Sequence, residues 1–172
     1  MKKRDVLIVD GYNVIRHAGG AYETLFAADP DSARTRLVAD VAAFAHGEYR
    51  AIVVFDGAGN PYSDGVVHQV AGVDVIFSAS GVDADTVIER LALEARGAGE
   101  KAVVVSSDTQ TQWSVMGAGI TRMPSSAFIE EVHRVREDSA EFNPSGSMRS
   151  TVSERIEPEV RERLSRWSRG HR

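Results

Sequence analysis

Apolar residues gather in short runs of strand length at 6–9, 51–55, 73–77 and 102–105, several of them rich in β-branched residues. Continuous runs of this kind suit parallel strands buried on both faces. Residues 66–70 add a further strand before Gly72. Between the runs the apolar period lengthens to that of a helix. Leu37, Val41, Phe44 and Ala45 share one face of a segment that Asp31 or Ser32 can cap, and Ala84, Val87, Ile88, Leu91 and Ala95 share another. Phe128, Val132 and Val135 mark a third amphipathic helix after Pro124, and Trp113 reads as core. Alternation of strands with helices predicts an α/β domain with a mostly parallel sheet.

This pattern is expected to fill residues 1–142. Residues 143–153 have the small polar composition of a linker or mobile loop, and 154–172 read as a basic C-terminal helix with Pro158 in its first turn. Ile156, Val160, Leu164 and Trp167 form its apolar stripe, which predicts packing on the body or on a partner.

The strand ends carry the chemistry. Asp10 ends the first run, Asp56 follows Phe55, and Asp108 follows Val103-Val-Val-Ser-Ser107. In open α/β sheets ligands bind beyond the carboxyl ends of parallel strands, so three strands deliver an acid to one edge. Asp83 and Asp85 stand on that edge at the start of the next helix. Asp83 can cap the helix or touch a metal, and both readings stand. Gathered carboxylates repel by roughly 1 kcal/mol per close pair in water. A cation removes that repulsion, and oxygen donors suit Mg²⁺ or Mn²⁺, which can stabilise a reacting phosphodiester and help generate hydroxide from water. Asn13 can bind substrate or orient an acid. Tyr12 either stacks on a base or packs beneath its loop. The five histidines show no ligand spacing, and the glycines at 117 and 119 lack the rest of a dinucleotide fingerprint.

Composition narrows the classes. The 172 residues are enough for one sizeable core, and the absence of cysteine removes disulfides and thiolate chemistry. No apolar run approaches a membrane span, and the start resembles no signal peptide, so no membrane and a cytoplasmic location are expected. The net charge is −5, but residues 149–172 carry +3 against −8 for the rest. An acidic body with a basic tail suits a metal enzyme acting on a polyanion.

At Leu7-Ile-Val-Asp-Gly-Tyr-Asn13 the chain resembles the YacP-type NYN domains of the PIN-like nucleases. Similar blocks follow in the family's order at 51–57, 83–91, 104–113, 116–122 and 164–170. The resemblance implies a PIN-like three-layer α/β sandwich with a C-terminal helical tail. It also implies a divalent-metal-dependent endoribonuclease, with Mg²⁺ or Mn²⁺, in which water attacks the phosphodiester, and ribosome-associated cleavage of messenger RNA. The family's acidic site maps to Asp10, Asp56, Asp85 and Asp108, supported by Asn13. Tyr12, Arg16, Arg122, Arg134, Arg136 and the C-terminal arginines are the candidates for RNA contact. A non-catalytic RNA- or ribosome-binding module that keeps the acidic edge is the alternative reading. Phosphotransfer through an aspartyl phosphate fits less well, because Tyr12 stands where such phosphatases place a second Asp.

Overall fold

A computed structural model describes residues 3–17, 19–114, 117–141 and 152–169. The linker expected over 143–153 lies outside these residues as far as 151, and so does the side chain of Trp113. The described strands are β1 (Asp5–Asp10), β2 (Tyr49–Phe55), β3 (Val67–Val70), β4 (Val73–Phe77), β5 (Ala102–Val105) and β6 (Ile120–Met123). The helices are α1 (Gly11–Ile15), α2 (Ala21–Ala28), α3 (Pro30–Ala45), α4 (Ala84–Gly97), α5 (Thr109–Ser114), α6 (Ser125–Glu141) and α7 (Val152–Ser168). No helix among the described residues is long and apolar enough to cross a membrane.

One six-stranded sheet has the order β3-β4-β2-β1-β5-β6. All neighbouring pairs are parallel except the β3–β4 hairpin at the edge. That hairpin closes through Ala71 and Gly72, both at positive φ, the conformation that matches the twist of paired strands. Successive side chains of a strand point to opposite faces, and the core divides accordingly. Leu7, Val9, Val53, Phe55, Val75 and Phe77 pack with Leu37, Val41, Phe128 and Leu164 on one face. Val6, Ile8, Ile52, Val54 and Ile76 pack with Val87, Ile88 and Ala92 of α4 on the other. The result is the three-layer sandwich expected from the alternating pattern.

Two local expectations change. Asp29 caps α3, accepting from the backbone N–H groups of Asp31 and Ser32, because Pro30 occupies the first helical turn where its missing N–H costs nothing. Helix α7 starts at Val152 and carries Pro158 inside it. Pro158 holds a helical φ but has no N–H, so the helix runs across it with one backbone bond to the preceding turn missing.

The C-terminal helix packs back on the body. Val160 and Leu164 are buried against the α3 side, and Trp167 stacks on His68 with ring centres 3.9 Å apart. Two of its arginines are tied down as well. Arg161 pairs with Asp29, and Arg163 donates to the carbonyl of Gln69 at 2.9 Å. At the end of α7, the Ser168 carbonyl accepts from Asn60 Nδ2 at 2.7 Å, which joins this helix to the loop after β2.

Strand order places the site. From β1 the chain passes through α1, α2 and α3 to β2 on one side, and from β4 through α4 to β5 on the other side of β1. The β1–β5 junction is therefore the point where the connections diverge to opposite faces, leaving a crevice at the carboxyl ends.

Candidate active site at the carboxyl edge of the sheet

Asp10 ends β1 and turns the chain into α1. Its Oδ1 accepts from the Asn13 backbone N–H at 3.5 Å, and its Oδ2 accepts from Ser106 Oγ at 3.3 Å. The residue is only 8% exposed. Burial, reinforced by the like charges of Asp85 and Asp108, pushes its carboxyl from 3.8 up to about 6, against the opposing hydrogen bonds.

Ser106 links two acids. While its hydroxyl donates to Asp10, its oxygen accepts from the Asp108 N–H at 3.1 Å. The Asp108 carboxylate in turn caps α5, accepting from the N–H groups of Gln110 at 2.8 Å and Thr111 at 3.1 Å. Thr111 Oγ1 donates onward to Asp85, in the first turn of α4. Asp10, Asp108 and Asp85 thus form one connected polar chain across three elements.

Asp56 is exposed just past β2 and accepts from the Ala58 N–H at 2.8 Å, a local turn contact. Asp83 is the N-cap of α4. It accepts from both Thr86 Oγ1 at 2.6 Å and Thr86 N–H at 2.8 Å, which hold its carboxyl below the ordinary value. Asp83 thus serves as a helix cap, and Asp83→Ala is expected to cost about 1 kcal/mol of stability, measured by urea unfolding.

All five acids line one cleft of about 550 Å³, together with Tyr12, Asn13 and Arg16. Asn13 Oδ1 accepts from the Ser107 N–H at 2.8 Å and from Ser125 Oγ at 2.6 Å. A backbone N–H can only donate, so the carboxamide oxygen is fixed toward the scaffold, which leaves the amide N–H groups to offer to a ligand. Tyr12 packs: its ring lies 5.1 Å from that of Phe55, and its hydroxyl accepts from Arg34 at 3.2 Å. The Arg16 guanidinium lies over the same Tyr12 ring at 5.3 Å.

The other arginines lie elsewhere. Arg122 is exposed on β6, Arg134 pairs with Glu131, and Arg136 is bound to Asp40; none of them lines the cleft. Thr111, Ser125 and Arg34, which hold Asp85, Asn13 and Tyr12, carry no signal in the sequence that points to the site. Each is an ordinary helix residue until the fold brings its partner alongside.

Among the described residues, no three His, Asp or Glu side chains are already closed around one point as a metal cage. Asp10, Asp56 and Asp108 are each engaged by backbone N–H groups of their own loops. The donor set nevertheless fits a hard divalent cation that keeps several waters and bridges to them. It consists only of oxygens, and it includes one acid whose ionisation burial and like charges oppose, an opposition that a cation would relieve.

The family model of the YacP-like NYN domain matches residues 7–169. The chain is 31% identical over 184 aligned positions to a Bacillus subtilis protein described as uncharacterized protein YacP, covering 96% of this chain and 98% of that one. Crystal structures of Rae1 (YacP) from Bacillus subtilis are similar too. One has a TM-score of 0.66 at 28% identity, covering 96% of this chain and 95% of that chain. The W164L mutant has a TM-score of 0.65, also at 28% identity, over 94% and 98%.

Proposed function

The chain belongs to the YacP-like NYN domain family, a branch of the PIN-like nucleases, and from that premise we propose that it is a divalent-metal-dependent endoribonuclease. The observation that carries this reading is the convergence of Asp10, Asp56, Asp85 and Asp108 on one cleft, with Asp10 buried and its carboxyl raised to about 6. A buried acid perturbed by neighbouring acids in a cleft is a functional-site candidate.

Asp10, Asp85 and Asp108, with Asp56 on the outer wall, would hold Mg²⁺ or Mn²⁺ directly or through water. Bound there, the cation supplies charge neutralisation for the scissile phosphate and acidifies a water for attack. The protein's own groups do the rest. Ser106 and Thr111 fix the carboxylates, so these oxygens need little rearrangement when charge develops. Asn13 and Arg16 line the cleft beside the acids, so an amide N–H and a guanidinium would be within its walls for an anionic substrate.

The substrate in this reading is messenger RNA cleaved in association with the ribosome, in the cytoplasm. That part rests on the family resemblance. The non-catalytic alternative draws on one observation: Asp10, Asp83 and Asp108 all hold backbone N–H groups at helix starts, a stabilising role that needs no chemistry.

Incubating purified protein with naked and with translated messenger RNA, in Mg²⁺, Mn²⁺ or EDTA, separates these readings. Cleavage that requires the cation and is faster on translated RNA is expected. Binding without cleavage in any condition would establish the alternative, and equal rates on both RNAs would remove the ribosome from the account.

A further inference from the structure

A second cavity, of about 360 Å³, lies between α2, α3 and α6 and shares no lining residue with the acidic cleft. Its volume falls at the lower end of those that hold small ligands. Leu25, Ile129 and Val132 supply apolar wall, and Arg36, His133 and Arg136 supply the polar side. Among the described residues, no acid lines it. The nearest carboxylate in this network is Asp40, almost buried and saturated by partners. It accepts from the Tyr22 hydroxyl and from both Nε and Nη2 of Arg136, and Arg36 Nε stands 3.5 Å away.

The charges do not balance. Two guanidiniums face one carboxylate, and Arg136 already takes that carboxylate with two nitrogens, the strong forked geometry. Arg36 has one long contact and a side chain 42% exposed, so its donors remain largely uncommitted. An apolar hollow with one spare positive charge at its side complements a molecule with an apolar body and a single anionic head.

We propose that this cavity is a binding site for a small amphipathic monoanion of the acyl- or aryl-carboxylate class. The carboxylate pairs with Arg36, and the apolar body lies along Leu25, Ile129 and Val132. Charge complementarity selects this occupant over a neutral or cationic amphiphile, and the limited volume selects a small molecule over a protein segment.

The test is titration of the isotopically labelled full chain with octanoate, followed by amide NMR. Octylammonium, with the same tail and opposite head, and inorganic phosphate serve as comparisons. Octanoate should give saturable shifts confined to Tyr22, Leu25, Val132, His133 and their neighbours, octylammonium and phosphate should give none there, and Arg36→Gln should weaken octanoate at least tenfold. Ala28→Phe, at the exposed rim, should block the cavity and abolish the shifts without unfolding the chain. The proposal is overturned by absence of saturable shifts, by equal shifts with octylammonium or with phosphate, or by full affinity in Arg36→Gln.

Discussion

Replacing Asp10 by asparagine should make the protein more stable at pH 7 in metal-free buffer. The carboxyl is buried and raised from 3.8 to about 6, chiefly by desolvation. Between those two values the folded protein binds more protons than the unfolded chain, so stability falls as pH rises through this window, and the loss is complete above about pH 6. A displacement of that size corresponds to at most about 3 kcal/mol. Asparagine keeps the capping oxygen for the Asn13 N–H and can donate to Ser106 Oγ, while it never ionises. Urea unfolding in EDTA should show a gain of about 1–3 kcal/mol at pH 7 that shrinks towards zero by pH 4. A gain independent of pH, or a loss at pH 7, would mean that Asp10 is an ordinary cap.

Gly57→Ala should have the opposite effect and a large one. A Cβ at this position would lie 2.3 Å from the Ser78 carbonyl oxygen and 2.4 Å from Ser63 Oγ, so the loop after Asp56 must shift. The obstacle is backbone and a buried serine, and the Gly57 N–H is itself fixed to Ser78 Oγ at 2.9 Å. The expected cost is about 1–3 kcal/mol or more, with Asp56 displaced from the cleft wall. Gly59, two residues on, faces open space, with nothing within 4 Å of where a Cβ would stand, so Gly59→Ala should stay within about 0.5 kcal/mol. Thermal unfolding of the two variants side by side checks this, and equal midpoints would contradict it. Crowding also explains the first motif glycine. A Cβ on Gly11 would meet the Phe55 ring at 2.5 Å, and that ring is wedged between Tyr12 and Phe77.

What could be read from the sequence follows from what is local. β1, β2, β4 and β5 announce themselves because strands covered on both faces must be apolar throughout. Once they are parallel, Asp10, Asp56 and Asp108 come to one edge by topology alone. β6 escapes notice because Ile120-Thr-Arg-Met123 is a short edge strand with its middle residues exposed. α1 and α5 are too short to show a period, and α2 crowds apolar residues at 21, 22 and 25–28 without a clear polar face. Contacts between distant residues carry no signal in a single chain. Asn13 meets Ser125 across 112 positions, and Thr111 meets Asp85 across 26. The arginines of α6 are a further case: Arg136 looks like a surface charge in sequence, yet the fold turns it onto Asp40.

Cleavage of RNA at the acidic cleft is the central proposal. The most direct measurement is single-turnover cleavage of one defined RNA by the parent protein, Asp10→Asn and Asp108→Asn, purified in parallel and verified as folded, with Mn²⁺ or EDTA. The parent should cleave only when the cation is present, and both variants should lose at least two orders of magnitude in rate, in the range that removal of one key transition-state group produces. Cleavage by folded Asp10→Asn at the parent rate, or cleavage by the parent that EDTA leaves unchanged, would contradict it.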